Sequence, residues 1–202
     1  MSASSRSDPP LVVATLNRAK GVELLRLLAD FPFALTLLAD VPGATLPEET
    51  GQTYRENALL KARAASRQTG MRALADDSGL EVDALDGAPG LFSARYGGAD
   101  LDDLGRIEKL LAALAGVPPE RRTARFRSVV VLVNPQGRET IAEGVVEGVI
   151  TGAPRGSGGF GYDPVFFYPP LGRTFGELSP AETDQVSHRA RAISALLAIF
   201  SG

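Results

Sequence analysis

Leu11-Val12-Val13-Ala14-Thr15-Leu16-Asn17-Arg18-Ala19-Lys20 decides the fold class of this chain. Leu11 to Ala14 is a short apolar run after Pro9-Pro10 and reads as a buried strand. From Asn17 to Phe31 the apolar residues fall at Val22, Leu24, Leu25, Leu27 and Leu28, which is helical spacing. The chain therefore begins strand, tight turn, helix. Working outward, Ala34 to Ala39 predicts a second strand, and Val41 to Gly51, with two prolines and two glycines, a loop. Thr53-Tyr54-Arg55-Glu56 fits a capping box and opens a helix to about Thr69, with Gly70 as its C-terminal cap.

Arg72 to Ala75 predicts a short strand that stops at Asp76-Asp77-Ser78-Gly79, and Leu80 to Leu85 a second one. Asp86 to Gly90 is turn-rich, and Asp100 to Ala115 is helical. Arg125 to Asn134 and Arg138 to Ile150 predict two long strands joined by a hairpin at Pro135-Gln136-Gly137. Thr151 to Tyr162 carries five glycines and reads as a flexible or ligand-wrapping loop. Val165 to Tyr168 is a strand; Ser179-Pro180-Ala181-Glu182 starts a helix, and Ser187 to Phe200 forms the last one. Helices and strands mix in order, so the class is α/β with a mixed sheet. A disordered tail over residues 1–9 and a single domain over 10–202 complete the expected organisation.

Composition bounds the function. The net charge of −3 provides no basic field for general nucleic-acid binding, so no stable nucleic-acid partner is expected. The absence of cysteine removes disulfides and thiolate metal sites and fits a reducing, cytoplasmic setting. No apolar run reaches the ~18 residues needed to span a bilayer, so no membrane partner is expected. The polar, Ser-rich start lacks the apolar core of a signal peptide.

Thr15 to Lys20 sits where the first strand gives way to the first helix. Unpaired amides and a partial positive charge at a helix start suit a phosphate, and Thr15, Asn17 and Lys20 add polar groups. The plainer reading is that Asn17 caps the helix and Lys20 is solvated. The glycines of a Walker loop are missing. Asn57 and Lys61 are four apart and share a helix face, which presents an amide and an ammonium or is an ordinary polar face. Glu48 and Glu49 lie in a loop, where carboxylates are usually solvated. Asp76 and Asp77 end an apolar strand. Neighbouring strand residues point to opposite faces, so the two carboxylates take different parts rather than acting as a matched pair. One suits a hard cation, and a carboxylate beside a metal-bound water can take its proton; the rival reading is a turn in which Asp caps its own backbone. Gly158 to Pro164 joins flexible backbone to Phe160, Tyr162 and Asp163, which can stack a base or serve the core. His188, the only histidine, rules out a histidine metal cluster.

In this order the segments resemble the inosine triphosphatase family of pyrophosphatases acting on non-standard purine triphosphates. The resemblance runs from Leu11 to about Leu197. It rests on Ala14-Thr15-Leu16-Asn17 with Lys20, Glu49-Thr50-Gly51 with Thr53, Glu56-Asn57-Ala58 with Lys61, and Ala75-Asp76-Asp77-Ser78-Gly79-Leu80. It continues through Gly87-Ala88-Pro89-Gly90, Ser93-Ala94-Arg95-Tyr96, Gly158 to Pro164 and Ser187-His188-Arg189. It implies an elongated mixed β-sheet with flanking helices, two lobes around a central substrate cleft, and a homodimer. It implies hydrolysis of ITP, dITP and XTP to the monophosphate and pyrophosphate with Mg²⁺, one or more ions per subunit, for which Mn²⁺ can substitute.

By the same resemblance, Thr15, Leu16, Asn17, Arg18, Ala19 and Lys20 hold the phosphates, with Lys61 nearby. Glu49 and Asp77 form the metal site, and Asp77 is also the catalytic proton acceptor, supported by Asp76 and Asn57. Ser78 contacts substrate; Phe160, Gly161, Tyr162 and Asp163 stack the base; His188 and Arg189 read its edge. Thr183 stands on the substrate side where the family commonly has lysine. Two rival readings are a pyrophosphatase for modified pyrimidine triphosphates and a non-catalytic triphosphate sensor. The Phe160 and His188 segments stand against the first, and the paired Asp76 and Asp77 against the second.

Overall fold

The computed structural model describes residues 9–98 and 100–201. Apart from Pro9, the expected tail lies outside the described residues. One mixed sheet of seven strands runs in the order β2-β1-β3-β4-β5-β6-β7. β1 (Pro10–Val13) pairs in parallel with β2 (Ala34–Leu37) and with β3 (Arg72–Val82). β4 (Thr123–Val133) and β5 (Glu139–Ile150) form the expected hairpin, closed by Asn134 N–H donating to Arg138 O and Gly137 N–H to Asn134 O. β6 (Phe166–Tyr168) pairs antiparallel with β5 and with the two-residue β7 (Arg173–Thr174).

The first helix, α1 (Arg18–Leu27), begins where the sequence predicts, because Asn17 is its N-cap and accepts the Lys20 N–H. It stops at Leu28, short of Phe31. α2 (Tyr54–Thr69) carries its expected caps: the Thr53 hydroxyl accepts from Glu56 N–H, and Gly70 takes the left-handed conformation. α3 (Asp103–Ala113) is capped by Asp102. α4 (Pro180–Val186) has the full capping box of Ser179 and Glu182, and α5 (His188–Ser201) ends the chain.

β3 departs from expectation. Instead of two short strands broken at Asp76-Asp77-Ser78-Gly79, it is one strand of 11 residues running straight through them. The carboxylates do not turn the chain because each finds a lysine, so their burial is compensated and the ladder continues.

The chain forms two compact units. The first comprises the described parts of Met1–Asp77, Val130–Ala142 and Leu196–Gly202. Leu11, Val12 and Val13 are wholly buried there, as expected for a strand paired on both sides and covered on both faces. The second comprises Ser78–Val129 and Glu143–Ala195. Its core is aromatic: Phe126 lies 4.5 Å from Phe166 and 6.0 Å from Phe175, and Phe166 meets Phe175 edge-on at 5.0 Å between ring centroids.

Candidate active site

The first unit gathers the charged residues that the sequence singles out. Asp76 and Asp77, on opposite faces of β3, take different partners, as alternation along a strand requires. Asp76 receives the Lys20 ammonium at 2.7 Å. Asp77 receives Lys61 at 3.3 Å, and the same ammonium reaches Glu49 at 2.6 Å. Asn57 bridges the site to the 48–51 loop: its Nδ2 donates to Asp77 Oδ2 at 3.1 Å, and its Oδ1 accepts the Gly51 N–H at 2.8 Å. One turn apart on α2, Asn57 and Lys61 thus act on the same carboxylate, and both are buried.

Burial pushes the Asp77 carboxyl above its ordinary range; Lys61 and Lys20 pull it back without overcoming that, and Glu49 and Asp76 add to the rise. Burial works against the charge of Lys61, yet Asp77, Glu49 and Asp76 outweigh it and hold the ammonium above its usual value. The region is therefore dense in charge of both signs.

Around the first turn, the Thr15 hydroxyl accepts from Asn17 N–H at 3.1 Å, so part of this segment's polarity serves the turn itself. Arg18 reaches sideways to an exposed ion pair with Asp40 at 3.0 Å, while Leu16 and Ala19 are exposed.

The second unit gathers the residues expected at the base. The Arg189 guanidinium donates to the Ser78 hydroxyl at 2.9 Å and lies over the Phe160 ring at 5.1 Å. Phe160 is half-buried. The turn that carries it is pinned: Phe160 N–H donates to Asp163 Oδ2 at 3.0 Å, and Gly161 N–H to Asp103 Oδ2 at 2.7 Å. Gly159 is required under this carboxylate, since a Cβ there would lie 2.0 Å from Asp163 Oδ2 and its φ is +69°.

Two expectations change here. Tyr162 is not an open stacking face: it is buried in the core, its hydroxyl donates to Ser93 O at 2.9 Å, and burial holds its phenol protonated well above the ordinary range. Only Phe160 of the two aromatics keeps a partly open ring. The glycine-rich segment before it is not loose either. Arg155 N–H donates to Pro164 O, Gly158 N–H to Gly176 O and the Thr174 hydroxyl to Arg155 O, each at 2.8 Å.

His188 is buried, with its ring stacked on Phe126 at 4.8 Å and 15°. The start of α5 packs so closely on β5 that a Cβ at Gly144 would lie 2.1 Å from the His188 carbonyl oxygen. Thr183 is half-buried within α4, its hydroxyl donating to Ser179 O. Sequence reasoning missed Asp103 and gave Ser93 no role, although Ser93 accepts from both Leu80 N–H and, at its carbonyl, Tyr162. The available signal was the doublet Asp102-Asp103, since one aspartate suffices to cap a helix.

A dITP/XTP pyrophosphatase of Desulforamulus reducens is 48% identical over 95% of this chain and 95% of its own. One from Xanthomonas oryzae pv. oryzae is 52% identical over 92% of this chain and 94% of its own. The structure of a HAM1 protein from Coxiella burnetii superposes with a TM-score of 0.86 at 42% identity, covering 96% of this chain and 98% of that one. The profile of the Ham1 family matches residues 11–199, and with these relatives it establishes that the chain is a member of the Ham1 family.

Proposed function

We propose that this chain is a nucleoside triphosphate pyrophosphatase that hydrolyses ITP, dITP and XTP to the nucleoside monophosphate and pyrophosphate, clearing them from the nucleotide pool. The observation that carries the reading is the buried trio of Asp76, Lys61 and Asp77, with the half-buried Lys20 on Asp76 and Glu49 on the same ammonium as Asp77. Opposed carboxylates and lysines at this density serve a polyanion and a metal better than they serve a core. The dITP/XTP pyrophosphatases among the relatives support the same reading.

Mg²⁺ fits this donor set. Among the described residues no cage of three or more His, Cys, Asp or Glu side chains exists. Mg²⁺ does not ask for one; it is held by one or two carboxylates with waters and substrate phosphates. Glu49 and Asp77 already converge on a single cation, the Lys61 ammonium. They are the residues that would hold Mg²⁺, with Mn²⁺ as an accepted substitute. What the ion supplies when bound is neutralisation of phosphate charge and a more acidic water.

The protein's own groups do the rest. Lys20 and Lys61 turn from carboxylate to phosphate and offset its charge, while the α1 amides line the polyanion. Asp77 Oδ takes the proton of the attacking water, and Asn57, bonded to the other oxygen of that carboxylate, keeps it aimed. Arg189 carries only donors and is held by Ser78 and the face of Phe160. It suits the 6-keto oxygen of hypoxanthine or xanthine; the adenine amino group would set donor against donor, at ~1–3 kcal/mol. The enzyme acts in the cytoplasm as a homodimer.

The test is pyrophosphate release, with Mg²⁺, from dITP, XTP, dGTP, dATP and dTTP, with identification of the nucleotide product. Monophosphate and pyrophosphate from dITP and XTP alone support the proposal. Equal turnover of all five removes the base selectivity, and binding without turnover replaces the enzyme with a sensor.

A further inference from the structure

The turn that carries Phe160 is held at successive residues, and one of its side-chain anchors comes from a helix outside the segment. Asp163 closes on Phe160 N–H from within the turn. Asp103 reaches Gly161 N–H from the first residue of α3, 58 residues away in the chain, at 2.7 Å. An aspartate at a helix start ordinarily caps that helix. Here the cap is Asp102, whose Oδ1 accepts the Gly105 N–H at 2.8 Å. Asp103 is therefore surplus to capping. Its other oxygen is gripped by Arg106 at 3.1 Å, one turn along the same helix, which aims the carboxylate. A half-exposed aspartate bound on one oxygen by an arginine and on the other by a distant backbone amide is an orienting device rather than a solvated surface charge.

We infer that Asp103 is a positioning residue for base recognition: through the Gly161 amide it sets the orientation of the Phe160 ring, and through that ring the placement of Arg189 over it. The inference rests on the proposed pyrophosphatase reading for its kinetic consequence, but not for the contact itself. Asp103 touches neither substrate nor reacting atoms. Asp103→Ala removes the acceptor, whereas Asp103→Asn keeps an oxygen for Gly161 N–H and gives up the charge and the acceptor that faces Arg106.

Three variants, Asp103→Ala, Asp103→Asn and Asp102→Ala, separate this role from helix stability. Asp103→Ala is expected to raise KM for dITP about five-fold with kcat nearly unchanged, the scale of one lost hydrogen bond. Asp103→Asn is expected to stay within about two-fold of wild type by the same measure. Asp102→Ala is expected to lower the melting temperature and leave KM alone. A second readout needs no substrate: amide hydrogen exchange over 158–163 is expected to quicken in Asp103→Ala and not in Asp103→Asn. Unchanged KM and unchanged exchange in Asp103→Ala overturn the inference, as does an Asp103→Asn variant as impaired as the alanine. A wild type that leaves dITP intact, with the exchange pattern as expected, overturns the pyrophosphatase reading and leaves Asp103 as the anchor of this turn.

Discussion

The candidate-site residues of the two compact units are held by opposite means. In the first, side chains of opposite charge, buried or half-buried, grip one another: Lys20 with Asp76, and Lys61 with Asp77 and Glu49. In the second, backbone amides and an aromatic face do the holding: Gly161 on Asp103, Phe160 on Asp163, and Arg189 against Phe160 and Ser78. Charges that neutralise one another in the resting protein can be re-partnered by a polyanion without moving the backbone. A turn held by its own amides keeps its shape whatever approaches it. The first arrangement suits chemistry, and the second suits discrimination. The contrast also forecasts how each fails: abruptly where one charge is left without its partner, by degrees where one contact among several is lost.

The largest effect is expected from Asp77→Asn. The amide keeps the shape and can still meet Asn57, but it cannot take a proton, so turnover of dITP is expected to fall by about 10²–10⁴-fold with circular dichroism unchanged. Near-normal turnover would break the assignment of chemistry to this unit. Lys61→Met comes next. It strands Asp77 and Glu49 around an apolar chain, and breaking a buried pair from one side costs about 3 kcal/mol, to be read by urea denaturation. A variant as stable as wild type would mean that the pairs are solvated in practice.

Arg189→Ala tests the other unit. The preference for dITP over dATP is expected to drop about ten-fold while the Mg²⁺ dependence of turnover stays the same. An unchanged preference would move base reading elsewhere. The smallest effect concerns pH. The folded-state pKa of Asp77 is raised, so the folded protein binds its proton more tightly than the unfolded chain does. Its contribution to stability is then greatest below the unfolded value of 3.8 and is lost as pH rises through the higher folded value. Relative to Asp77→Asn, wild type is expected to lose melting temperature across that window and to hold a constant offset above it. A gap that closes as pH rises would reverse the sign.

Most of the first unit is legible in the sequence because its elements announce themselves locally. The apolar run of β1, the Asn17 cap of α1, and the Thr53 box with Gly70 at the ends of α2 are all visible within a few residues. The misreading of β3 has one cause. Asp-Asp-Ser-Gly has the composition of a turn, and only the lysines at 20 and 61, far off in the chain, make it a buried strand. The second unit is harder to read. β7 is two residues long, too short for any period to show, and Tyr162 looks like Phe160 until its hydroxyl is seen on Ser93. The doublet Asp102-Asp103 marks Asp103 as spare, but its partner stays hidden because that partner is a peptide N–H, which every residue but proline has.

The continuity of β3 also constrains how this protein can be inherited. Its pairing with β1 is set residue by residue, Leu11 with Arg72 through Val13 with Leu74. Side chains alternate along it, so the loss or gain of a single codon between Leu74 and Asp76 would exchange the carboxylates and hand each lysine the wrong partner. Descendants of this gene can lengthen the turn at Pro135, but they must copy this strand at constant length.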